Sequence, residues 1–351
     1  MARSRRFELA YGAARAARVA WFAGQYLAAE RLTRKDRGRL AGTRTGVGWR
    51  RLLTSIEELF ARDLAQIEAG TYALPADLAL RPGRAFRDAL RFFRDLPAVA
   101  RRHREHDHAE VRTADLDRVY PRYYLQNFHY QTDGWLSDRS AALYDQQVEV
   151  LFSGAAAAMR RQALPLLRRV IAGRDLRGLR VADIGCGTGG LIADMKATWP
   201  QLHVTALDLS PAYLRRVRRR LQGRGRLGFV QAKAEALPFA DESLDALTCV
   251  YLFHELPPRV REEVAAEFAR VLKPRGAAIV VDALQTGDTP DFDGLLAFFP
   301  EAFHEPYFSS YAAEDFGRLF GAAGLTVEAT VPAFLSKAVL LRKGDLGLSD
   351  L

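Results

Sequence analysis

Cysteine is scarce in this chain of 351 residues. Its two cysteines, Cys186 and Cys249, stand 63 positions apart inside apolar runs that are typical of strands. That number and spacing exclude a disulfide framework and a zinc site built from thiolates. We therefore expect the chain to work in a reducing compartment, with the cytoplasm as its location.

Long apolar runs are missing as well. No stretch approaches the roughly 18 uninterrupted apolar residues of a membrane-spanning helix, and this excludes an ordinary transmembrane segment. A basic start at 1–6, followed by the fairly apolar segment 19–29, imitates a secretory signal. Arg15, Arg18 and Gln25 interrupt this stretch, so we interpret it as an amphipathic helix.

Lysine is also rare, although the chain is basic. The formal net charge is +9, and 45 of the 51 basic residues are arginine. Residues 1–150 hold 26 basic and 19 acidic side chains and so carry most of the excess. The arginines alternate with apolar residues at helical spacing and match no nucleic-acid-binding motif. We interpret them as solvated helix faces, with peripheral contact to anionic lipid at the inner membrane face as the sharper alternative.

The character of the sequence changes twice along the chain, whose length exceeds the roughly 100–200 residues of one domain. Residues 1–110 are rich in Ala, Leu and Arg and predict a helical N-terminal domain. Residues 111–175 are dense in aromatic and polar side chains and predict a linker or lid followed by a helix. Residues 176–345 predict a third part of alternating strands and helices. Within the helical part we expect breaks at 42–48, at 70–75 and at Pro82-Gly83.

The third part predicts a parallel sheet with crossover helices. We expect strands at 180–184, 203–207, 228–231, 244–251, 277–282, 325–331 and 334–342. We expect helices at 190–198, 211–221, 258–272 and 312–323. Only a short proline-containing link separates the last two strands, which predicts an antiparallel hairpin at a sheet edge. The fold class is therefore α/β: a Rossmann-like, seven-stranded, mostly parallel sheet with an antiparallel last strand, plus an N-terminal α-helical domain.

A short apolar strand runs directly into a glycine-rich loop that opens a helix, in the segment 181–190. Gly185, Gly187 and Gly189 let the backbone turn sharply and approach a ligand without Cβ atoms in the way. The N-terminus of the new helix adds positive potential. The pattern predicts a nucleotide-type crevice at the C-terminal end of the strand.

The same loop matches the dinucleotide pattern G-x-G-x-x-G through Gly185, Gly187 and Gly190, so a nicotinamide- or flavin-dependent oxidoreductase is an alternative. Asp183 stands in the end of the strand, two residues before the first glycine. Its carboxylate would repel a pyrophosphate and attract a cation. A sulfonium compound with an α-amino group therefore suits this loop better.

With three further motifs, the loop resembles the class I S-adenosylmethionine-dependent methyltransferases, especially the branch that includes ubiquinone and menaquinone methyltransferases. The resemblance covers about residues 179–343. It implies that the acid and glycines of 181–189 hold the methionine moiety of S-adenosylmethionine. It also implies that Asp208, which ends the second strand, accepts hydrogen bonds from both ribose hydroxyls. The cofactor-binding residues that it implies are Asp183, Gly185, Cys186, Gly187, Gly189, Asp208, Leu209, Ala234, Glu235 and Tyr251.

The third motif, in residues 232–247, departs from the family pattern. The family places there an acid that meets the adenine amino group and a backbone N–H that meets a ring nitrogen, and Lys233 and Ala234 occupy these positions. An ammonium group only donates hydrogen bonds and cannot accept one from the adenine amino group. We expect that contact to come from a backbone carbonyl or from Glu235. The fourth motif, 271–276, is a turn into the fifth strand, and we assign it no catalytic role.

Methyl transfer from a sulfonium is an in-line displacement that needs no metal, and it needs a base only for a hydroxyl or an acidic carbon. His254 lies just past the fourth strand, where the family often carries histidine, and it is our first candidate for such a base. The alternative is a loop histidine that packs against the cofactor or caps the next helix.

Two aromatic clusters lie outside the four motifs. In residues 123–135, His129 and Tyr130 are candidate catalytic residues of a lid or acceptor pocket that orients a flat or lipid-like substrate. The second cluster, 298–308, follows the fifth strand, where related enzymes insert acceptor-binding loops. Each cluster could instead be an aromatic core that joins two domains. Together they favour an apolar or aromatic acceptor over a sugar or a nucleic acid.

Three histidines close together, His103, His106 and His108, imitate a metal cluster. The flanking Arg102 and Arg104 would repel a divalent ion. We interpret the segment as a solvated helix end and expect no metal.

The sequence thus predicts S-adenosylmethionine-dependent methyl transfer to oxygen or carbon of a small lipophilic or aromatic metabolite, which is quinone-, polyketide- or lipid-like. The expected partner is a small-molecule acceptor and not a nucleic acid. Two alternatives stay open: an NAD(P)-dependent oxidoreductase, and a non-catalytic partner subunit that retains the methyltransferase fold.

Overall fold

The computed structural model describes residues 5–33, 47–78 and 81–345. These residues divide into two compact units. The helical unit comprises the described residues within Met1–Gly70, Leu74–Ala158 and Asp291–Pro306. The sheet unit comprises those within Thr71–Ala73, Met159–Pro290 and Tyr307–Leu351. The domain boundaries expected from the sequence stay a prediction.

The helical unit is built from long helices, as the sequence predicted. They are α1 (Arg5–Thr33), α2 (Trp49–Glu68), α3 (Pro82–Glu105) and α4 (Asp138–Leu151). Helix α1 packs on the other three, and α3 also packs on α4. The break expected at Pro82-Gly83 is wrong: α3 begins there, because proline in the first turn lacks only an N–H that would have no intrahelical partner. The break expected at 42–48 lies mostly outside the described residues.

A buried arginine joins three segments of the helical unit. The Arg18 guanidinium on α1 lies 2.7 Å from the Glu149 carboxylate on α4. It also donates to the backbone oxygens of Gly154 at 2.9 Å and Asp77 at 2.8 Å. The side chains of Arg18 and Glu149 are only 8% and 10% exposed. This arginine therefore provides the donors that several buried oxygens need.

The remaining helices follow in chain order. They are α5 (Ala156–Arg161), α6 (Ala163–Ile171), α7 (Gly190–Thr198), α8 (Pro211–Arg220), α9 (Pro258–Val271), α10 (Asp293–Ala302), α11 (Phe308–Ala312) and α12 (Phe316–Ala322). The helix expected at 312–323 is wrong in its start. Asp315 caps α12 by accepting from the Arg318 N–H at 3.1 Å, so the chain leaves α11 and begins a new helix there.

The sheet unit contains the predicted seven-stranded sheet. Its strands are β1 (Arg180–Ile184), β2 (His203–Asp208), β3 (Leu227–Gln231), β4 (Leu244–Val250), β5 (Leu272–Ala283), β6 (Leu325–Ala333) and β7 (Ser336–Lys343). Their order is β3-β2-β1-β4-β5-β7-β6. The first five strands pair in parallel, and β7 is antiparallel to both β5 and β6. The predicted fold class is confirmed.

Burial explains the pattern of these strands. Strand β4 is buried at six of its seven positions and β1 at four of five, as expected for parallel strands covered on both faces. Helix α8 packs on β2 and β3, and α6 packs on β4 and β5. The order of connection reverses between β1 and β4, and ligands of such sheets bind outside the C-terminal ends of the strands at this point.

None of the helices in the described part of the chain combines the length and the apolar character that crossing a bilayer requires.

We expect Arg18→Ala to lower the free energy of unfolding of the helical unit by about 3–5 kcal/mol, because it leaves the Glu149 carboxylate buried without its partner. Chemical denaturation of the full chain would measure the change. Arg31→Ala is the matched control, since Arg31 is an exposed arginine of the same helix. It should change stability by no more than about 0.5 kcal/mol. Equal effects of the two substitutions would contradict the role of Arg18.

Candidate functional site

The glycine loop between β1 and α7 has the backbone conformation that its sequence requires. Gly185, Gly187 and Gly189 have φ values of 65°, 54° and 74°, which favour glycine. A Cβ atom on Gly189 would lie 2.8 Å from Cγ1 of Val217 on α8. Cys186 lies in the same loop, and burial raises the pKa of its thiol well above the ordinary value. It is therefore a small packing residue and not a nucleophile.

Asp208, the last residue of β2, is held directly beside this loop. Its carboxylate oxygens accept hydrogen bonds from the backbone N–H groups of Gly187 and Ser210, each at 2.8 Å. Each oxygen keeps a further lone pair for a ligand hydroxyl. Burial raises the pKa of Asp208 to about 6, although both backbone hydrogen bonds act in the opposite direction.

Asp183, near the end of β1, is a second carboxylate at the same sheet edge. It is 2% exposed and accepts a hydrogen bond of 2.5 Å from the hydroxyl of Thr248, its register partner on β4. Burial raises the pKa of Asp183 to about 7, and the negative charge of Asp208 adds to this. The Thr248 hydroxyl and the positive charge of Arg160 lower the pKa. The site therefore favours a cation.

Arg160 is a site residue that the sequence analysis missed. A Cβ atom on Gly190, the first residue of α7, would lie 2.7 Å from its guanidinium carbon. The guanidinium therefore lies against the N-terminus of α7, where the helix dipole already contributes positive potential. Two positive groups there favour an anion. The sequence offers no motif for this residue, which follows a run of alanines.

The predicted adenine-contact residues follow β3. Lys233 is half exposed, and its ammonium group lies 3.8 Å from the Glu235 carboxylate, which is 8% exposed. Ala234 stands between them. Tyr251 follows β4 in the left-handed region, with φ of 57°, and its N–H donates to the Val281 oxygen at 2.8 Å. The contacts of these residues with adenine stay a prediction.

His254 forms a dyad with an aspartate that the sequence analysis did not select. It lies in a short 3-10 helix, Phe253–Glu255, directly after β4, and Asp282 lies near the end of the neighbouring strand β5. The distance from His254 Nδ1 to Asp282 Oδ1 is 2.5 Å. Because a carboxylate only accepts, Nδ1 donates in this bond, and Nε2 lies 4.0 Å from Oε1 of Glu255. Backbone N–H groups of Phe253 and Ala283 hold Asp282, each at 2.8 Å.

His129 and Tyr130, the other candidate catalytic residues, belong to the helical unit. Both have left-handed backbones, with φ of 52° and 54°, a conformation that is strained for residues other than glycine. The His129 Nε2 atom lies 2.7 Å from Oε1 of the buried Glu305. The ring of Phe303 is 5.4 Å from that of His129. The two aromatic clusters of the sequence thus meet within this unit, and the catalytic role of His129 and Tyr130 stays a prediction.

The interpretation of this segment as a solvated helix end is wrong for His103, whereas His106 and His108 are exposed. His103 is 7% exposed, and its ring lies 4.9 Å from that of Tyr130. The ring of His108 stacks on that of His304 at 4.2 Å. Burial, and then the neighbouring His108, lower the pKa of His304 to about 4. His103 and His108 thus contact residues of the second aromatic cluster, which lies almost 200 positions later in the sequence.

Comparison with known proteins shows similarity to methyltransferases. A family model described as a methyltransferase domain matches residues 181–276. A fatty-acid O-methyltransferase of Mycolicibacterium smegmatis is 36% identical over 40% of this chain and 51% of its own length. A phthiotriol/phenolphthiotriol dimycocerosates methyltransferase of Mycobacterium ulcerans is 33% identical over 40% of this chain and 51% of its length. A demethylmenaquinone methyltransferase of Thermotoga maritima is 30% identical over 52% of this chain and 74% of its length.

The chain belongs to the class I S-adenosylmethionine-dependent methyltransferases. It spans about half the length of the first two of these relatives. The predicted cofactor-binding residues all lie within the region that the family model matches. In the sheet unit they lie at or just after the C-terminal ends of β1 to β4.

The affinity for S-adenosylmethionine should depend on pH through Asp183 and Asp208. A cationic ligand beside them stabilises their ionised forms, so binding expels the protons that they hold at low pH. Because their pKa values are about 7 and about 6, we expect the affinity to fall roughly tenfold from pH 7 to pH 6 and more steeply below pH 6, where both groups take up protons. Calorimetry in buffers of different ionisation enthalpy would measure both the affinity and the protons released.

Asp183→Asn is the control, since it removes the titration with the higher pKa and should flatten the upper part of the profile. The stability of the ligand-free chain should depend on pH in the opposite direction to the affinity. Both groups hold protons in the folded chain at pH values where unfolded aspartate, with its ordinary pKa of 3.8, is ionised. The free energy of unfolding should therefore decrease as the pH rises from about 4 to about 7. An affinity for S-adenosylmethionine that stays constant between about pH 4 and pH 7 would contradict the assignment of Asp183 and Asp208 to its binding site.

Proposed function

We propose that the chain transfers the methyl group of S-adenosylmethionine to an oxygen or carbon atom of a small lipophilic or aromatic acceptor. One observation carries the first part of this proposal. The buried carboxylate of Asp183 and the partly buried carboxylate of Asp208 flank a glycine loop at the ends of the adjacent strands β1 and β2. A cationic ligand with hydroxyl groups satisfies both carboxylates, whereas a pyrophosphate would be repelled by them.

The residues at this edge fit the parts of S-adenosylmethionine. Asp208 has two oxygens that could accept from the two ribose hydroxyls. Asp183 favours the positive charges of the methionine moiety, and Arg160, at the N-terminus of α7, favours its carboxylate. When bound, the sulfonium supplies an electrophilic methyl group. The chain holds and orients the reactants and excludes water.

The acceptor class rests on two kinds of support. The relatives are named for a fatty acid, for phthiotriol lipids and for demethylmenaquinone, all of which are lipophilic. Within the helical unit, His129 lies close to Phe299 and Phe303, which suits contact with a flat or apolar compound. A sugar or a nucleic acid would need a more polar set of side chains.

His254 is the proposed general base for an acceptor that must lose a proton. Asp282 fixes its tautomer so that Nε2 can accept the proton of a hydroxyl or an acidic carbon. The rings of Phe308 and Tyr311 lie 6.2 and 6.0 Å from the imidazole and restrict its orientation. Asp282 acts through the histidine and is a positioning residue.

Calorimetry with S-adenosylhomocysteine on the wild type and on Asp208→Ala tests the donor site. Binding by the wild type and its loss in the variant would support the proposal. Binding of a nicotinamide dinucleotide instead would favour an oxidoreductase. Binding of S-adenosylhomocysteine without methyl transfer to fatty acids, quinols or a metabolite extract would favour the non-catalytic partner subunit.

We expect His254→Ala to lower kcat for a hydroxyl or carbon acceptor by about 10²–10⁴-fold, because the transition state loses its proton acceptor. The affinity for S-adenosylhomocysteine should stay unchanged, which separates loss of catalysis from loss of the fold. Incubation with methyl-labelled S-adenosylmethionine and mass spectrometry of the product would measure the rate.

Asp282→Asn is the companion variant. It should lower kcat with little change in KM, because an amide no longer enforces the tautomer in which Nε2 accepts. Methyl transfer at the wild-type rate in His254→Ala would contradict the proposed role of His254 as the base. It would leave the proposed binding of the methyl donor unaffected.

A further inference from the structure

Exposed apolar side chains are unevenly distributed between the two units. Within the described ranges, every large hydrophobic side chain that is strongly exposed belongs to the helical unit. Scattered exposed residues of this kind are normal, but a concentration on one part of a chain marks an interaction surface. In the sequence, residues 1–150 hold 26 basic and 19 acidic side chains, which is net +7 of the total +9.

Helix α3 presents both features on its solvent face. Phe86 is 65% exposed and Leu90 is 40% exposed, and they lie one turn apart. Pro97 continues the same face two turns later and is also exposed. The side of α3 that faces away from its exposed arginines packs inside the helical unit through Leu96 and Ala100, which are 6% and 3% exposed. The apolar side chains on the outer face therefore do not belong to the core.

Arginines flank this apolar strip. Arg87, Arg91 and Arg94 are exposed and, at 100° per residue, lie on one side of it. Asp88 is the acid nearest to them and pairs with Arg84 at 3.4 Å and with Arg91 at 3.5 Å. Surface pairs of this kind contribute little to stability. Asp88 balances only one of the arginine charges, so the face stays positive. The α3 patch, as we define it, consists of Phe86, Arg87, Leu90, Arg91, Arg94 and Pro97.

We propose that the α3 patch binds the surface of an anionic lipid bilayer. Phe86 and Leu90 would enter the boundary between headgroups and acyl chains, while the guanidinium groups bind lipid phosphates. A nucleic acid would satisfy the arginines but would give the exposed Phe86 and Leu90 no apolar surroundings. Binding to a bilayer would bring the chain close to lipophilic compounds. The proposal itself does not depend on the proposed methyl transfer.

Helix α2 repeats the composition on a smaller scale. Trp49 is 63% exposed and Leu53, one turn later, is 47% exposed. Arg50 is exposed beside them. Tryptophan is enriched at membrane–water interfaces because its ring is apolar and its N–H is polar. Trp49 and Leu53 thus combine exposed apolar side chains with a neighbouring arginine, as the α3 patch does.

Sedimentation of the full chain with vesicles tests the proposal. The vesicles are phosphatidylcholine alone, or phosphatidylcholine mixed with phosphatidylglycerol, at low and high salt. The wild type should bind the mixed vesicles, bind pure phosphatidylcholine far more weakly, and lose affinity at high salt. The triple variant Arg87→Gln, Arg91→Gln and Arg94→Gln should bind on the order of a hundredfold more weakly, since each basic residue near an anionic surface contributes about fivefold.

Two further variants separate the apolar part from the charge. At high salt, the double variant Phe86→Ser and Leu90→Ser should lose a larger fraction of the remaining affinity than the arginine variant does. Salt screens the attraction between arginine and lipid phosphate but not the apolar contribution of Phe86 and Leu90. Val119→Ser is the matched control: Val119 is 69% exposed in the same unit but lies outside α3, so its loss should leave binding unchanged. Replacing the three arginines by lysine should preserve binding.

Three outcomes would overturn the proposal. The first is a wild type that does not sediment with anionic vesicles. The second is binding that both α3 variants retain. The third is a wild type that prefers duplex DNA to the vesicles at equal salt. An unchanged helical circular dichroism signal in each variant shows that the helical unit is intact. Binding of S-adenosylhomocysteine, which is proposed for the sheet unit, is measured separately, so a failure here leaves the proposed methyl transfer untouched.

Discussion

The site of the sheet unit depends on where a buried parallel sheet can hold charge. Strands β1 and β4 are covered on both faces, so an ionised side chain is acceptable only at or near a strand end, where backbone N–H and hydroxyl groups are free to donate to it. Asp183, Asp208 and Asp282 stand at such ends and each accepts hydrogen bonds from neighbouring groups. Desolvation still raises the pKa of the first two. A cationic ligand relieves that cost, which ties the local geometry to the chemistry of the ligand.

Local signals explain what could be predicted from the sequence. The glycine loop, Asp183 and Asp208 lie within one strand–loop–helix–strand segment, and their spacing alone places them together. The dyad of His254 and Asp282 was only half predicted, because these residues are 28 positions apart and meet only through the pairing of β4 with β5. His103 shows the same limit more strongly: its neighbours in sequence are charged, whereas its neighbours in space come from residues 130 and 302.

Composition likewise cannot distinguish a structural arginine from a surface one. Arg18 and Arg261 are 6% and 0% exposed and are held by carboxylates and backbone oxygens. Arg87 and Arg94 have the same side chain and the same kind of helical neighbourhood in the sequence, but they face solvent. A buried arginine whose charge is paired adds little to the outer field, so the net charge of +9 alone does not describe any surface. Only the packing of each helix shows which arginines are available to a partner.

The region shared with the family has a direct consequence for specificity. It spans residues 181–276 and contains every predicted cofactor-binding residue as well as His254. Relatives named for a fatty acid, for phthiotriol lipids and for demethylmenaquinone resemble the same chain. Residues that serve the methyl donor in all of them cannot tell these acceptors apart, since a common fold supports different substrates through differences elsewhere. If the chain acts as proposed, we expect the contacts that select the acceptor to come largely from side chains outside the matched region. The strained His129 and the aromatic rings beside it are the first of these to test.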